Sequence, residues 1–289
     1  LGRCRIKWKP IVLTFSLNPK EIKSKDPLKP KRELLEQLDI KTILEYVTSS
    51  TTHVVSAKRN TAKGLQTLIN GRYIVDEPYV DALVYAATPA DLAEEENASP
   101  LEQDFDEAWP KPEKFLPPAG KEPTVQPPES YAPNPQRENI FESYTFVFVD
   151  EAQFETLLPV ITAGHGKALL YKAIPGETTV EEAVLYMRNV AGDKGFGDPQ
   201  EETNEGGVVM VRHNKVDKAW DVWFNDLIDG VSLALNQKSI AQGEFLDAIL
   251  ANEPTRLRRS LELKSTVQGE AAPLPVAGKK PSGRRLPPG

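Results

Sequence analysis

The sequence of 289 residues holds a single cysteine, Cys4. One thiol excludes an internal disulfide and any zinc site built from several cysteines. No base stands beside Cys4 in the sequence, which argues against a nucleophile. Histidine is scarce as well. His53, His165 and His213 stand far apart, none with a cysteine or second histidine at metal-ligand spacing. The expectation is no metal, no cofactor and no enzyme. Long apolar runs are missing too: no stretch nears the roughly 20 residues that span a bilayer, and no signal-peptide core opens the sequence. A soluble, intracellular protein without membrane contact is expected.

What is abundant is proline, at 25 residues, and charge, at 27% of the chain, beside a 39% apolar content that suits globular cores. Length alone predicts about two domains. The net charge of −7 is unevenly spread. Residues 1–90 carry +6, 91–138 carry −8, 139–252 carry −10 and 253–289 carry +5. An anionic ligand would be steered toward the first of these regions.

Residues 51–75 set the pattern for the first region. Thr51, Thr52, His53, Val54 and Val55 form a β-branched run that reads as a buried parallel strand. Leu65, Leu68 and Ile69 then fall at i, i+3 and i+4, the spacing of an amphipathic helix. Asn60 is a suitable N-cap and Gly71 a suitable residue just past the helix end. Lys58, Arg59 and Lys63 crowd the helix start, where a cation opposes the helix dipole. They make sense there if an anion, most simply a phosphate, is bound; the bland alternative is a solvated basic turn.

Around this unit, residues 5–16 read as a strand with Ile11, Val12 and Leu13 at its core, and 20–30 as a proline-punctuated loop. Residues 31–38 read as a helix with Leu34, Leu35 and Leu38 on one face, 42–47 as a strand, and Pro78 opens a helix that buries Tyr79, Leu83 and Ala86. The order is β-α-β-β-α-β-α. Residues 88–136 hold 11 of the 25 prolines and two acidic clusters. They read as a stiff spacer, with Phe105, Trp109, Phe115 and Leu116 pinned to a neighbouring domain.

Pattern returns at Ile140. A strand over 141–149 precedes a helix over 151–163 with Phe154, Leu157, Leu158 and Ile161 as its face, then a strand over 167–171. Gly164, His165 and Gly166 read as that helix's C-cap, since a phosphate loop would follow a strand instead. An extra amphipathic helix over 179–190 and a mobile loop over 192–207 come next. A strand over 208–212, a helix over 218–235 with Trp220, Phe224, Leu227, Ile228 and Val231 inward, a vestigial strand at Ser239 and Ile240, and a helix over 243–251 complete the pattern. This repeats the first order with one helix inserted. The expected division is 3–88 for the first repeat, 89–138 for the linker, 139–252 for the second repeat and 253–289 for a disordered basic tail.

The two repeats joined by a proline-rich linker resemble a tandem BRCT module, the phosphopeptide-reading fold of DNA-damage proteins. TTHVV, NTAKGL and GRYIVDEPYVDAL carry that resemblance. The opening RCRIKWKPIVLTFS, the run TLINGRYIV and ENIFESYTFVFVDEAQFETLL are similar in order to the tandem BRCT region of the nibrin family, regulatory subunits of the break-processing nuclease complex. The resemblance covers residues 3 to about 252. It implies an α/β fold of two repeats, each a four-stranded parallel sheet flanked by helices. It also implies a phosphate held by the lysine of a Thr-x-Lys motif, here Lys63 supported by Thr61, and by a hydroxyl after the first strand, here Ser16 or Thr14. The glycine usual beside that hydroxyl is replaced by Phe15 or Leu17. The second repeat has no Thr-x-Lys, its matching helix opening with DKAWDVW.

The implied partner is a phosphorylated Ser/Thr peptide of a DNA-damage protein, met in the nucleus. Nuclease-complex subunits would be bound through regions outside this sequence. Two alternatives stand beside this one. One is a structural interaction module without phosphate recognition, and the other is a weak direct DNA contact by the basic first repeat and tail.

Overall fold

A computed structural model describes residues 9–89, 97–120, 122, 124–192, 206–213 and 220–261. Most of the loop expected to be mobile, and the tail beyond Leu261, lie outside the described residues. The first half runs β1 (Val12–Ser16), α1 (Pro19–Ile22), α2 (Lys29–Leu35), β2 (Lys41–Ile43), β3 (His53–Ser56), α3 (Ala62–Ile69), β4 (Tyr73–Val75) and α4 (Pro78–Ala87). Its four strands are parallel, in the order β2-β1-β3-β4. Helices α5 (Pro100–Gln103) and α6 (Phe105–Ala108) lie in the linker. The second half runs β5 (Tyr144–Phe148), α7 (Glu151–Ala163), β6 (Lys167–Leu170), α8 (Val180–Ala191), β7 (Gly207–Met210), α9 (Asp221–Ala234) and α10 (Glu244–Ala251). Its sheet is parallel in the order β6-β5-β7. The fold is α/β, two parallel sheets each flanked by helices.

The fourth strand of the second sheet is reduced to one parallel bridge, Val211 to Ile240. Its place in the layer is kept because Ile240 N–H donates to Met210 O at 3.0 Å and Arg212 N–H to Ile240 O at 2.7 Å.

Several local expectations shift. Strand β2 stops at Ile43, because Thr51 N–H closes a turn onto Val47 O at 2.8 Å. Asn18 caps a helical turn inside the expected loop, accepting from Lys20 and Glu21 N–H. Leu34 and Leu158 face solvent, while Leu35 and Val160 are buried. Trp220 precedes α9 and is largely exposed, so it is not part of the inward face expected of that helix. The chain also stays ordered past residue 252. Pro254–Leu257 forms a 3-10 turn, Leu257 is fully buried, and Ser260 bridges Gln237. Residues 254–261 therefore close the second repeat, where the sequence suggested tail, because Leu257 has a core to enter.

The two repeats share one core. Helix α3 lies against α7 and touches α10. Leu65, Leu68, Ile69 and Ile74 join Leu157, Ile161, Leu250, Phe146 and Phe245 in a single buried cluster. Full burial of each such side chain contributes roughly 1.5–3 kcal/mol. The linker straps the pair. Phe115 and Trp109 pack on the first core, and Tyr131 enters the shared one. Buried Arg137 donates to Ala132 O, Ser130 O and, at 3.2 Å, Leu250 O. The expected pinning of Trp109, Phe115 and Leu116 is seen; Phe105 instead stacks on Trp109 at 5.1 Å and stays partly exposed.

His53 is the buried histidine the strand pattern suggested. Its ring stacks on Tyr73 and Tyr79, each at 5.2 Å, and burial pulls its pKa down to about 4.

Two outcomes follow. Truncating Leu68 to Ala, at the fully buried centre of the shared cluster, costs about 2–5 kcal/mol. Denaturant unfolding followed by tryptophan emission, with Trp109 of the linker packed on the first core and Trp223 in the second repeat, shows one transition moving to lower denaturant. The second concerns pH. The folded pKa of His53 lies below its ordinary 6.5, so only the unfolded chain takes up this proton between those values. Its contribution is full above about pH 6.5 and is lost as pH falls toward 4. The gap between the wild-type and His53→Phe melting temperatures, scanned over that window, narrows on acidification.

Candidate functional site

Parallel sheets bind ligands outside the carboxyl ends of their strands, where the strand order reverses. In the first sheet the chain leaves β1 for β2 on one side and then crosses to β3 on the other. The reversal point is thus between β1 and β3. Ser16 and Ser56 are the paired last residues of those two strands. A cleft of about 490 Å3 opens there, lined among others by Ser16, Ser56, Lys58, Thr61, Lys31 and Asp76.

Each expected site residue has a definite place. Thr61, not Asn60, is the N-cap of α3: its backbone is extended and its Oγ1 accepts from Gly64 N–H at 3.1 Å. Gly64 is required by close approach, since a Cβ there would lie 2.8 Å from Arg59 O and 3.0 Å from Thr61 Oγ1. Lys63 sits in the first turn as read, and its ammonium donates to Phe15 O at 3.1 Å and to Leu44 O. It therefore grips the carbonyl of the peptide that leads into Ser16, at the rim of the lined cleft. Burial lowers its pKa, with Glu45 opposing. Ser16 is half-buried and lines the cleft. Thr14, two residues earlier on the same face of β1, is fully buried, and its Oγ1 lies 2.8 Å from Thr51 Oγ1. The structure brings Ser16 and Thr61 together on the cleft, sets Lys63 beside them and keeps Thr14 beneath.

The basic cluster divides. Lys58 faces the cleft, held by a turn in which Ser56 Oγ donates to Lys58 O at 2.8 Å. Arg59 points away, donating to Pro117 O at 2.5 Å and lying over the Tyr131 ring. Lys31, Glu21, Asp76 and Glu77 also line the cleft, and sequence spacing does not reveal them. Lys31 pairs with Glu77 at 2.7 Å and sits over the Phe15 ring. Glu21 accepts from Asn18 N–H at 2.8 Å. Burial raises the pKa of Asp76 and favours its neutral form. Their signal was positional only: each stands just past a strand end or in the first turns of a helix.

Elsewhere, Gly164 is the C-cap of α7 as expected. His213 Nε2 lies 3.4 Å from Asp221 Oδ1. Among the described residues, no group of three or more His, Cys, Asp or Glu side chains could hold a metal ion, and no helix is long and apolar enough to cross a membrane.

Residues 135–260 match the family model of the second BRCT domain on Nijmegen syndrome breakage protein. The match spans the second repeat and the end of the linker. Among solved structures it is similar to the BRCT5-BRCT6 domains of Brc1 from S. pombe, at 12% identity and a TM-score of 0.46, over 87% of this chain and 98% of that one. It is also similar to a chain of the S. pombe Nbs1-Ctp1 complex, at 17% identity and a TM-score of 0.30, over 57% of this chain and 47% of that one. Yeast Rtt107 with Mms22 gives 10% identity and a TM-score of 0.25, over 84% and 46%.

The two candidate hydroxyls separate by stability. Thr14→Ala removes one partner of the buried Thr51 hydroxyl, which still accepts from Val47 N–H, and costs about 0.5–1.5 kcal/mol. Ser16→Ala, at a half-exposed strand end, stays within about 0.5 kcal/mol. Thermal melts of both variants check this.

Proposed function

We propose that the chain is a phosphopeptide-binding adaptor module of the DNA double-strand-break response, acting in the nucleus to bring a break-processing complex and checkpoint signalling to damaged chromatin. The phosphate would sit on Ser16 and the start of α3, with Lys63 as its cation and Thr61 holding the helix end in shape. One observation carries the reading. A hydroxyl, a capped helix N-terminus and a lysine ammonium converge at the strand-order reversal of the basic repeat. Helix starts favour anions through their amides and dipole. Lys63 would exchange one carbonyl for a phosphate oxygen, a charge-assisted bond stronger than the neutral one it leaves.

A second reading, an interaction module that takes peptides without phosphate, draws on the carboxylates of Glu21, Asp76 and Glu77 along the same cleft. Direct DNA contact draws less support, since Arg256 and Arg259 are paired with Glu253 and Glu244 and Arg258 donates to Gly206 O.

Titration with a phosphoserine or phosphothreonine peptide drawn from a random library, beside its unphosphorylated twin, separates the first two readings. Lys63→Met loses a charge-assisted bond of roughly 1.5–3 kcal/mol, so affinity for the phosphorylated peptide falls about ten- to a hundredfold. The twin's affinity holds. The fold loses about 1–2 kcal/mol, because Phe15 O and Leu44 O each lose a donor. Thr61→Val has a smaller effect on affinity, and Ser16→Ala weakens phosphate-dependent binding where Thr14→Ala does not. An unchanged ratio between the two peptides in Lys63→Met favours the second reading.

A further inference from the structure

Helix α8 has no counterpart in the first repeat, where a turn joins β2 to β3. Its inner face, Ala183, Val184 and Met187, is buried on the second sheet. Its outer face exposes Glu181, Glu182, Arg188 and Asn189 and, among them, one large apolar side chain. Leu185 is 60% exposed and Ile174, in the loop before the helix, is 54% exposed. Between them the rings of Tyr171 and Tyr186 lie 4.6 Å apart, tilted by 32°. These four side chains line an open cleft of about 490 Å3 with Glu177 and Glu182 at its edge. Glu182 uses one oxygen on Thr179 N–H to cap the helix. Burial, then Glu182 and Tyr186, push the Tyr171 phenol upward in pKa, which keeps it a hydrogen-bond donor.

Paired tyrosines flanked by apolar side chains suit the ridge of proline rings on a polyproline II segment, whose exposed carbonyls accept from the phenols. Carboxylates at one end suit arginine. The chain carries a stretch that combines prolines with arginines. Residues 281–288 read Pro-Ser-Gly-Arg-Arg-Leu-Pro-Pro. Over 262–289 the cations Lys264, Lys279, Lys280, Arg284 and Arg285 face only Glu262 and Glu270, whereas residues 139–252 carry −10. Reach is ample. The stretch from Leu261 to Arg284 extends to roughly 75–80 Å at about 3.3–3.6 Å per residue, against a radius of gyration of roughly 19 Å for a chain of this length.

We propose that residues 281–288 dock within the same molecule on the Tyr171–Tyr186 cleft of α8, with Arg284 and Arg285 on Glu177 and Glu182 and Pro287 and Pro288 against the two rings. The contact is independent of the phosphate cleft. It gives the inserted helix a role as the seat of an internal ligand that a proline-rich, basic segment of another protein would have to displace.

Hydrogen exchange on the full chain tests it. In the wild type, amides of residues 171–189 exchange more slowly than in R284E/R285E, about threefold for a site two-thirds occupied. Salt at 0.5 M removes the difference, and a synthetic peptide of residues 277–289 added to R284E/R285E restores the protection. Leu185→Asp, an exposed position that cannot unfold the repeat, abolishes protection in both settings. Equal exchange in wild type and R284E/R285E overturns the proposal. So does protection that survives Leu185→Asp, or protection that disappears on dilution, which would make a second copy the donor.

Discussion

Helix α3 is fixed on its flank by another repeat and at its start by its own sequence. Leu65, Leu68 and Ile69 lie in a cluster completed by α7 and α10, while Thr61 closes the first turn onto Gly64. The helix cannot rotate without opening the shared core, and it cannot slide without breaking the cap. Its N-terminus is therefore held at the carboxyl ends of β1 and β3, where Ser16 ends one strand. The second repeat needs no Thr-x-Lys of its own to matter there. It acts by packing, and Arg137 and the Tyr131 strap add to the same restraint.

The contrast between Thr14 and Ser16 shows how a strand grades its residues. Both point to one face of β1, because side chains two apart share a face. Thr14 lies where β2 and β3 still flank the strand, so its hydroxyl is spent on Thr51. Ser16 stands where pairing ends, and the cleft begins there. Depth along the strand separates a hydroxyl sealed in the core from one that opens on the cleft. The mixed charge around Ser16 adds a second constraint. Lys31 and Glu77 neutralise each other, and Glu21 is occupied with its cap. Lys58 and Lys63 stand as cations beside the serine, with the Asp76 carboxyl also on the cleft.

Elements with a strong local signal were legible in the sequence. The strand at His53–Ser56, the buried side of α3, the bounds of α7 and the proline-led start of α4 follow from β-branched runs, helical spacing and capping residues that sit next to one another. Where two neighbours can serve one role, as Asn60 and Thr61 can at the helix start, only backbone geometry chooses. The directions of Lys63 and Arg59 were illegible for another reason. Their partners Leu44, Phe15 and Pro117 lie 19, 48 and 58 residues away, and sheet formation alone brings them near. Leu257 is illegible in the sequence because one apolar residue among arginines has no period. Its burial depends on a site that the second repeat provides.

The most direct test of the account is a crystal structure of the chain with a phosphopeptide bound, or failing that with sulfate. The account places the anion against Ser16 and the first turn of α3, with the Lys63 ammonium turned from Leu44 O or Phe15 O onto it. A peptide seated with its phosphate in solvent, or an anion found only away from Ser16 and Lys63, contradicts it.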